Sequence, residues 1–413
     1  MKISNRMLIN TSLFLSMMVF AIAYTVASPM LIEISKKLGI SVGAMGYSFS
    51  AYFAGFIAGS FISSFYTGKN NRKLLLIFFN FLITISVFSL TFMFNFYLTI
   101  ALFFFIGISG GFIESQVSFL MVKLNPKNEG LFVNLSQVFF GIGAFAGPFL
   151  FTITLKTGID WSYAFVISAA LCLVNLLFLI FIDISVIKKN TDAERKKIVH
   201  KTLRKAHVRL SALSEDTHSG RVIFLFSMLI IFFYVSTESG ISTWLPTFLR
   251  LNKSFSESLS GQILSFFWLS TVVGRVLIGF LSKKIKILNI LFFEVLAAIL
   301  SIVLGIYLKN NIMIILSFIF SGLFLSGIWP LIVTYSSLKH PRSTNFTISF
   351  IVLSGGVGGF ISPYLIGKLT NRLNIFVAMN LVYVFLIFVF ILILLMFLLE
   401  KRNSGKILPN APK

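Results

Sequence analysis

The chain has 413 residues, of which 57% are hydrophobic, 16% are aromatic and only 12% are charged. A soluble core of this size would not need 50 Phe with so few charges, so the composition excludes an ordinary soluble protein and indicates a membrane protein. The net charge of +22 could suggest a nucleic-acid partner, but the distribution of the basic residues favours a different explanation, given below.

Twelve apolar runs follow one another along the chain. Each is long enough to cross a bilayer as a helix, which needs about 20 residues. The runs lack the alternation of apolar and polar residues that is typical of a membrane barrel. The predicted fold class is therefore an all-α membrane protein with twelve transmembrane helices in two six-helix bundles. We predict these helices near residues 8–30, 44–66, 74–93, 96–122, 131–154, 161–185, 222–246, 259–281, 287–307, 311–337, 344–366 and 374–399.

Lys and Arg are unevenly divided between the predicted loops. If both termini are cytoplasmic, the termini and cytoplasmic loops hold 26 of the 35 basic residues, the external loops hold 8, and Arg275 lies inside a span. This asymmetry is the positive-inside rule. It predicts a multi-pass protein of the inner (cytoplasmic) membrane with both termini in the cytoplasm and no nucleic-acid partner. Binding of the basic loops to anionic lipid stays open as a secondary role.

A long basic stretch divides the chain into halves. We predict an N-terminal six-helix bundle over residues 1–185, a cytoplasmic basic linker over 186–220, and a C-terminal six-helix bundle with a short tail over 221–413. The fifth and eleventh runs share a pattern of Gly followed by Pro, at Gly147-Pro148 and at Gly359 before Pro363. Matching helix-breaking positions in two halves predict two repeated bundles that face each other.

Glu114 lies near the middle of the fourth run and is the first candidate for chemistry. Gly107, Gly110, Gly111 and Ser118 are spaced by three and four residues from one another and from Glu114, so they share its helical face, which suits a cavity wall. A carboxylate at this depth needs a partner, a proton or a water-filled cavity. We predict that Glu114 is a site for a proton or for substrate. The alternative is a structural hydrogen bond between helices.

Glu238, in the seventh run, has Tyr234 and Ser242 four residues away on either side, and Trp244 follows. Acids and hydroxyls bind the hydroxyl groups of sugars, and an aromatic ring can cover the C–H face. We predict that Glu238 contributes to coupling or to substrate binding, the alternative being an interface residue near the outer end. Weaker candidates for the substrate cavity are Tyr24, Thr25, Asn134, Gln137, Trp329 and Tyr335.

Two further intramembrane charges are ambiguous in sequence. Arg275 follows Gly274, and a structural ion pair or snorkelling to the boundary is favoured over binding of an anionic substrate. Glu294 has no obvious polar neighbour at helical spacing, so it either faces a cavity or pairs with a basic residue.

The motifs of several other classes are absent from the sequence. It contains no phosphate-binding loop GxxxxGK[ST], no GxSxG nucleophile motif, no arginine ladder and no TVGYG filter. The single Cys172 excludes a disulfide within the chain, and no Cys/His metal spacing exists. We therefore expect no enzymatic activity, no cofactor and no metal site, and we expect a monomer.

The quoted segments resemble the major facilitator superfamily over nearly the whole chain. Within it they are most similar to the fucose permease-like sugar:proton symporters and the related sodium-dependent glucose transporters. The resemblance is carried by Gly107-x-x-Gly110-Gly111-Phe-Ile-Glu114, by Asn134-Leu-Ser-Gln137 leading to Gly143-x-x-x-Gly147-Pro148, by Tyr234-Val-x-x-Glu238, by Thr243-Trp244-Leu-Pro246, by Phe267-Trp268 with Gly274-Arg275, and by Gly327-Ile-Trp-Pro330.

This resemblance implies that Glu114 is the proton-linked carboxylate and that the solute is a sugar or a similar polyol. The chain departs from the family at Thr25, where the fucose permeases have an acid, so coupling would rest on Glu114 and Glu238 or use another ion such as sodium. It also implies a gating and structural role for the loop after the second span and for the fifth helix. The residues concerned are Lys69, Arg72, Lys73, Gly147, Pro148 and Arg275, although Gly68 stands where the superfamily has Asp.

Three functions are compared on these grounds. Proton-coupled uptake of a small polar solute by alternating access fits the acid-containing runs and is the leading hypothesis. A proton-coupled multidrug efflux antiporter is the alternative, because Gly143-x-x-x-Gly147-Pro148 resembles part of an exporter motif and a Phe-rich cavity suits lipophilic cations. A lipid-flipping or membrane-anchoring scaffold is supported by the basic linker alone.

Overall fold

The computed structural model describes residues 5–65, 72–93, 95–125, 128–182, 218–340 and 344–406. Over these residues it is helical, with two short 3-10 turns at Ser28–Met30 and Val42–Ala44. The α-helices, numbered here α1 to α14 in chain order, are Asn5–Thr25, Leu31–Leu38, Met45–Phe65, Arg72–Leu90, Phe96–Leu124, Glu129–Lys156, Tyr163–Phe181, His218–Lys253, Glu257–Leu281, Ile287–Tyr307, Asn311–Leu325, Ile328–Lys339, Thr344–Arg372 and Ile375–Lys406.

The described helices include twelve segments that are long and apolar enough to cross a membrane, as the sequence predicted. Two of these segments are broken helices: α1 with α2, and α11 with α12. Because the number of spans is even, α1 begins and α14 ends on one side of the protein, which we call the terminal face; the other side is the opposite face. Most of the predicted basic linker and Lys69 lie outside the described residues.

Glycines bring helix backbones together inside the N-terminal bundle, which consists of α1 to α7. Methyl groups at Gly107 and Gly111 of α5 would overlap the backbone oxygens of Tyr52 and Phe56 of α3. Small residues allow such close approach between membrane helices. The interpretation of this glycine face as a cavity wall was therefore wrong for these two positions, because the missing side chains make room for another helix.

The C-terminal bundle, α8 to α14, repeats this construction. A methyl group at Gly358 of α13 would overlap the backbone oxygen of Phe232 of α8, just as one at Gly143 of α6 would overlap the backbone oxygen of Met18 of α1. The first and fifth spans of each half thus approach each other through glycine in the same way, which is the pattern expected of repeated halves.

The two bundles meet along α3 with α13 and along α6 with α9. Between the centre and the opposite face, Ser50 donates to the backbone oxygen of Phe360 at 2.7 Å, and the Gly43 amide donates to the Asn371 side chain at 3.1 Å. On the other seam, Thr152 donates to the backbone oxygen of Ser258 at 3.2 Å. The bundles are therefore closed against each other on the opposite face.

An ion cluster joins the bundles at the opposite face. Arg250 of α8 donates to both carboxylate oxygens of Glu33 of α2, at 2.9 and 2.6 Å, and to Glu257 of α9 at 2.5 Å. The Arg250 and Glu33 side chains are only 10% and 13% exposed. Two-point contact with partial burial is the geometry in which such a pair contributes measurably to stability.

We expect Gly111→Ala to lower the apparent melting temperature of the purified protein, measured at a fixed heating rate. The methyl group would force α3 and α5 apart, and such overpacking costs about 1–3 kcal/mol. The matched control is Gly279→Ala, because no atom lies within 4 Å of the methyl position there. The control should be unchanged or stabilised by about 0.5–1 kcal/mol, since Ala is the better helix former. Equal melting temperatures of the two variants would contradict the close packing of α3 on α5.

We expect Arg250→Ala to open the opposite face more often. Loss of the two-point contact to Glu33 should change the open fraction about 5- to 30-fold, which corresponds to about 1–2 kcal/mol. Val352 lines a cavity between the two bundles. A cysteine in its place would report the opening, because a membrane-impermeant thiol reagent could then label it in intact cells. The native Cys172 is buried. The control is Arg372→Ala, which removes an exposed charge from the same face. Equal labelling of both variants would argue against a role of the Arg250–Glu33 contact in keeping this face closed.

Candidate functional site

A cavity of about 120 Å³ lies between the bundles. Its polar wall is formed by Glu114 and Gln137 of the N-terminal bundle and by Glu238 and Arg275 of the C-terminal bundle. The remaining lining is aromatic or apolar and comes from α1, α3, α6, α8, α9, α12 and α13: Phe20, Tyr24, Tyr52, Phe53, Phe56, Phe140, Tyr234, Val235, Trp268, Trp329, Val352, Gly355 and Gly356.

The charges of the cavity are arranged around Arg275. This side chain donates to the backbone oxygen of Gln137 at 3.3 Å, across the interface between α9 and α6. It lies near enough to attract both Glu114 and Glu238, and the Gln137 side chain is a neighbour of Glu114. Arg275 therefore faces the cavity, which carboxylates of both bundles also line. This position differs from snorkelling to the membrane boundary, which was one of the alternatives favoured from sequence.

The Glu238 carboxylate is held by its own helix. Tyr234 lies one turn earlier on α8 and donates its hydroxyl to Glu238 at 2.6 Å. Residues four apart face each other on a helix, so the spacing alone predicts this contact. The Tyr234 ring lies 6.5 Å from the ring of Trp329 on α12, which also lines the cavity. Coupling and solute binding by these residues remain predictions.

Aromatic rings form the wall of the cavity on the N-terminal side. Tyr24 of α1 stacks on Tyr52 of α3 with ring centres 4.8 Å apart, and it contacts Trp268 of α9 edge-on at 6.5 Å. The indole nitrogen of Trp268 is buried, and among the described residues it has no hydrogen-bond partner. A buried donor without a partner leaves an uncompensated desolvation cost.

Three residues predicted to bind substrate lie elsewhere. The Thr25 hydroxyl is 2.9 Å from the backbone oxygen of Ala21 and 3.3 Å from that of Ala144, so it joins α1 to α6. Asn134 is exposed on α6, outside the cavity lining. Trp244 is fully buried in α8 beyond the cavity, against α13 at Gly367. Each of them belongs to a helix that does contribute to the cavity, but its side chain points to a different neighbour.

The predicted gating residues have visible packing contacts. Gly147 lets α6 approach Thr25 and the backbone of α1, and Pro148 lies inside α6 next to Thr152. Arg72 is buried at the start of α4, with its guanidinium 4.2 Å from the ring centre of Phe119. Lys73 donates to the backbone oxygens of Ile180 and Ile182 at 2.8 and 2.6 Å, which anchors the end of α7.

The aromatic wall on the N-terminal side of the cavity was not predicted from the sequence. Tyr52, Phe53 and Phe56 of α3 line the cavity together with Phe140 and Trp268, but Phe is so frequent in this chain that its presence carries little information. A signal did exist for Tyr52, because it is a polar aromatic four residues before Phe56 in a span rich in Gly and Ser.

Comparison with known proteins gives consistent results. The model of the Major Facilitator Superfamily matches residues 13–363. The chain is 25% identical over 333 residues to the glucose/mannose transporter GlcP of Bacillus subtilis (strain 168), covering 80% of each chain. It is 24% identical over 377 residues to a TsgA homolog of Buchnera aphidicola subsp. Baizongia pistaciae (strain Bp), covering 90% of this chain and 91% of that protein.

Solved structures share the fold. A D-xylose-proton symporter has a TM-score of 0.77 at 15% identity, covering 94% of this chain and 96% of the other. A point mutant of the nucleoside transporter NupG has a TM-score of 0.72 at 14% identity, covering 94% of this chain and 99% of the other. These similarities confirm the predicted resemblance and the predicted fold class.

We expect Tyr234→Phe to weaken solute binding about 10- to 100-fold, measured as the Kd of the purified protein. The variant loses a hydrogen bond to a charged group, which is worth about 1.5–3 kcal/mol, and Glu238 becomes free to turn out of the cavity. Tyr97→Phe is the matched control, because Tyr97 is 83% exposed on α5, away from the cavity. An unchanged Kd in Tyr234→Phe would exclude a role of this contact in the site.

Proposed function

The chain belongs to the major facilitator superfamily and is a membrane carrier of a small-molecule solute, and we propose that it takes up a sugar or a similar small polar solute together with a proton, by alternating access. The observation that carries this proposal is the pair of carboxylates, Glu114 and Glu238, that line one cavity from two different bundles together with Arg275.

The charge balance of the cavity supports coupling to a cation. With both carboxylates ionised, Glu114, Glu238 and the permanently charged Arg275 leave one negative charge uncompensated. Unbalanced charge inside a membrane protein is costly, so closing the bundles over the cavity is easier after one cation binds. A proton on Glu114 supplies that cation. Sodium is the alternative ion, and the assay below separates the two.

The lining favours a neutral polar solute. Carboxylates, the Gln137 amide, the Tyr24 hydroxyl and the Trp268 indole nitrogen offer donors and acceptors, while stacked rings cover apolar faces. This mixture of a few polar groups within an aromatic wall is typical of small-molecule sites. The glucose/mannose transporter of Bacillus subtilis is a relative with a solute of this class.

Alternating access fits the way the bundles meet. The opposite face is closed by side chains at Ser50, Thr152 and Arg250 and by the close approach of Gly43 and Gly46 to α13, while other glycines pack the helices within each bundle. Rigid halves with a breakable seam are what a rocking motion around a central site requires. If the terminal face is cytoplasmic, as the basic residues predict, the closed opposite face separates the cavity from the outside of the cell.

A proton-coupled multidrug antiporter is the competing function. The Phe side chains of the cavity, at positions 20, 53, 56 and 140, would also suit lipophilic cations. The uncompensated negative charge would attract such a cation as well. The two functions differ in the direction of proton movement, which can be measured directly.

The deciding experiment uses the purified protein in liposomes that contain a pH-sensitive dye. Hexoses, deoxyhexoses and polyols are added one at a time without an imposed ion gradient, with sodium present or replaced by choline. Acidification of the lumen by one sugar, independent of sodium, is the expected result. Sugar entry without acidification and only with sodium would replace the proton by sodium. Alkalinisation of acid-loaded vesicles by lipophilic cations, with no response to sugars, would establish the antiporter instead.

We expect Glu114→Gln to abolish proton-driven accumulation of the solute while exchange of labelled solute at equal pH continues. The amide keeps the shape and hydrogen bonding of the side chain but cannot bind and release a proton in this pH range. Asp160→Asn is the control, because Asp160 is exposed between α6 and α7 on the opposite face and should leave both activities intact. Equal loss of accumulation and exchange in Glu114→Gln would argue against a purely coupling role.

A further inference from the structure

A third intramembrane carboxylate lies outside the cavity. Glu294 of α10 is 5% exposed, and one of its oxygens accepts a hydrogen bond from the Gly327 amide at 3.2 Å. Its other oxygen, Oε2, is buried and has no hydrogen-bond partner among the described residues. Neither alternative predicted from sequence is what the structure shows, because Glu294 does not line the cavity and forms no ion pair within the described residues.

The amide that Glu294 binds lies at a break in the tenth span. The helix α11 ends at Leu325, and α12 begins at Ile328 with Gly327 as its N-cap. Pro330 has no amide hydrogen, so it cannot continue the hydrogen-bond ladder across the break. A helix N-terminus attracts negative charge through its free amides and its dipole. Here that charge comes from the side chain of a neighbouring helix.

Gly327 is shaped for this carboxylate. Its backbone is right-handed, with φ −90°, so glycine is not needed for its conformation. A methyl group at Gly327 would instead overlap both oxygens of Glu294. The glycine therefore leaves the space that the carboxylate occupies, which indicates a built contact between α10 and the break.

Within the described residues, no ion pair compensates the charge of Glu294. Its packing partner α11 carries no ionisable residue. Tyr234 of α8 is a titratable residue close enough to Glu294 to interact with it electrostatically. Helices α12 and α14 also pack on α10. Tyr335 and Lys339 of α12 both bind Glu400 of α14. Tyr335 is eight residues beyond Gly327, which is about 12 Å along the helix. A fully buried carboxylate without a cation is held either by the α12 terminus or by a proton.

We propose that Glu294 is a second proton-binding carboxyl of this protein, and that its charge sets the bend between α11 and α12. In the ionised form it draws the start of α12 toward α10. When Oε2 binds a proton, the negative charge that attracts the α12 amides is neutralised and the bend relaxes. One proton passes from a hydronium ion of the medium to Oε2, so that an O–H bond of hydronium breaks, an O–H bond forms on the carboxyl group, and water is left.

The bend is connected to the cavity through Trp329. This residue lies two positions after Gly327, lines the cavity, and has its ring 6.5 Å from that of Tyr234, the donor to Glu238. A shift of the start of α12 moves Trp329 against the solute. Glu294 is thus a positioning residue, and only this last link rests on the proposed function.

The test uses the full-length protein in lipid without solute. Infrared difference spectra between about pH 5.5 and about pH 9 detect the carbonyl stretch of each carboxyl that gains or loses a proton. In the same pH range, hydrogen exchange of peptides over residues 323–332 reports the bend, after correction for the intrinsic rate. We expect Glu294→Gln to lose one titrating carboxyl band and the pH dependence of exchange at the break. Glu114→Gln and Glu238→Gln should keep the band that Glu294→Gln loses, and they should keep the pH dependence of exchange at the break.

Spectra of Glu294→Gln that titrate like the wild type would overturn the proposal, because Glu294 would then keep one charge state and act only as a cap. If Glu294→Gln loses the carboxyl band but hydrogen exchange at the break keeps its pH dependence, then Glu294 does not control the bend. If Glu294→Gln does not fold, Gly327→Ala displaces the carboxylate instead, and a band that titrates at an unchanged pH would contradict the contact. A titrating Glu294 band together with no proton movement by any sugar would refute the proposed function and leave this inference standing.

Discussion

The cost of an unbalanced charge in the membrane governs the arrangement of this protein. Glu114, Glu238 and Arg275 would each be expensive alone, and each becomes tolerable only where the other two and water can reach it. Because the two carboxylates belong to different bundles, every movement of one bundle against the other changes the electrostatic energy of the whole group. The proposed link between solute access and ion binding rests on this geometry.

The contacts between helices differ within the bundles and between them. Within a bundle, glycines such as Gly111 and Gly358 allow backbone to meet backbone, and these contacts leave little room for adjustment. Between bundles, side chains such as Ser50 and Arg250 form hydrogen bonds. Glycines near the start of α3 also meet the backbone of α13, since methyl groups at Gly43 and Gly46 would overlap the backbone oxygens of Gly367 and Pro363. The seam therefore combines close backbone contact near the opposite face with hydrogen bonds from side chains.

The sequence was informative where one residue type has one physical meaning. Length and hydropathy predicted twelve spans, and Glu114, Glu238 and Gln137 were found because polar groups at membrane depth are rare. It was less informative where the rotation of a helix decides. Thr25 and Trp244 lie on helices that line the cavity but point toward other helices, and Gly107 makes room for a backbone, where an open cavity wall was expected. Tyr52 was hidden by the abundance of aromatic residues. The contact of Glu294 with Gly327 joins residues 33 apart, which no helical spacing reveals.

The ion cluster at Arg250 has a consequence for the environment of the protein. It is the strongest electrostatic tie described on the opposite face, and the Glu257 side chain, 48% exposed, leaves one side of it open to the medium. Dissolved salt screens exposed charges over about 8–10 Å, whereas the glycine contacts within the bundles are insensitive to it. We therefore expect the ionic strength of the medium on that side to change how firmly the bundles are closed there, without any ligand binding.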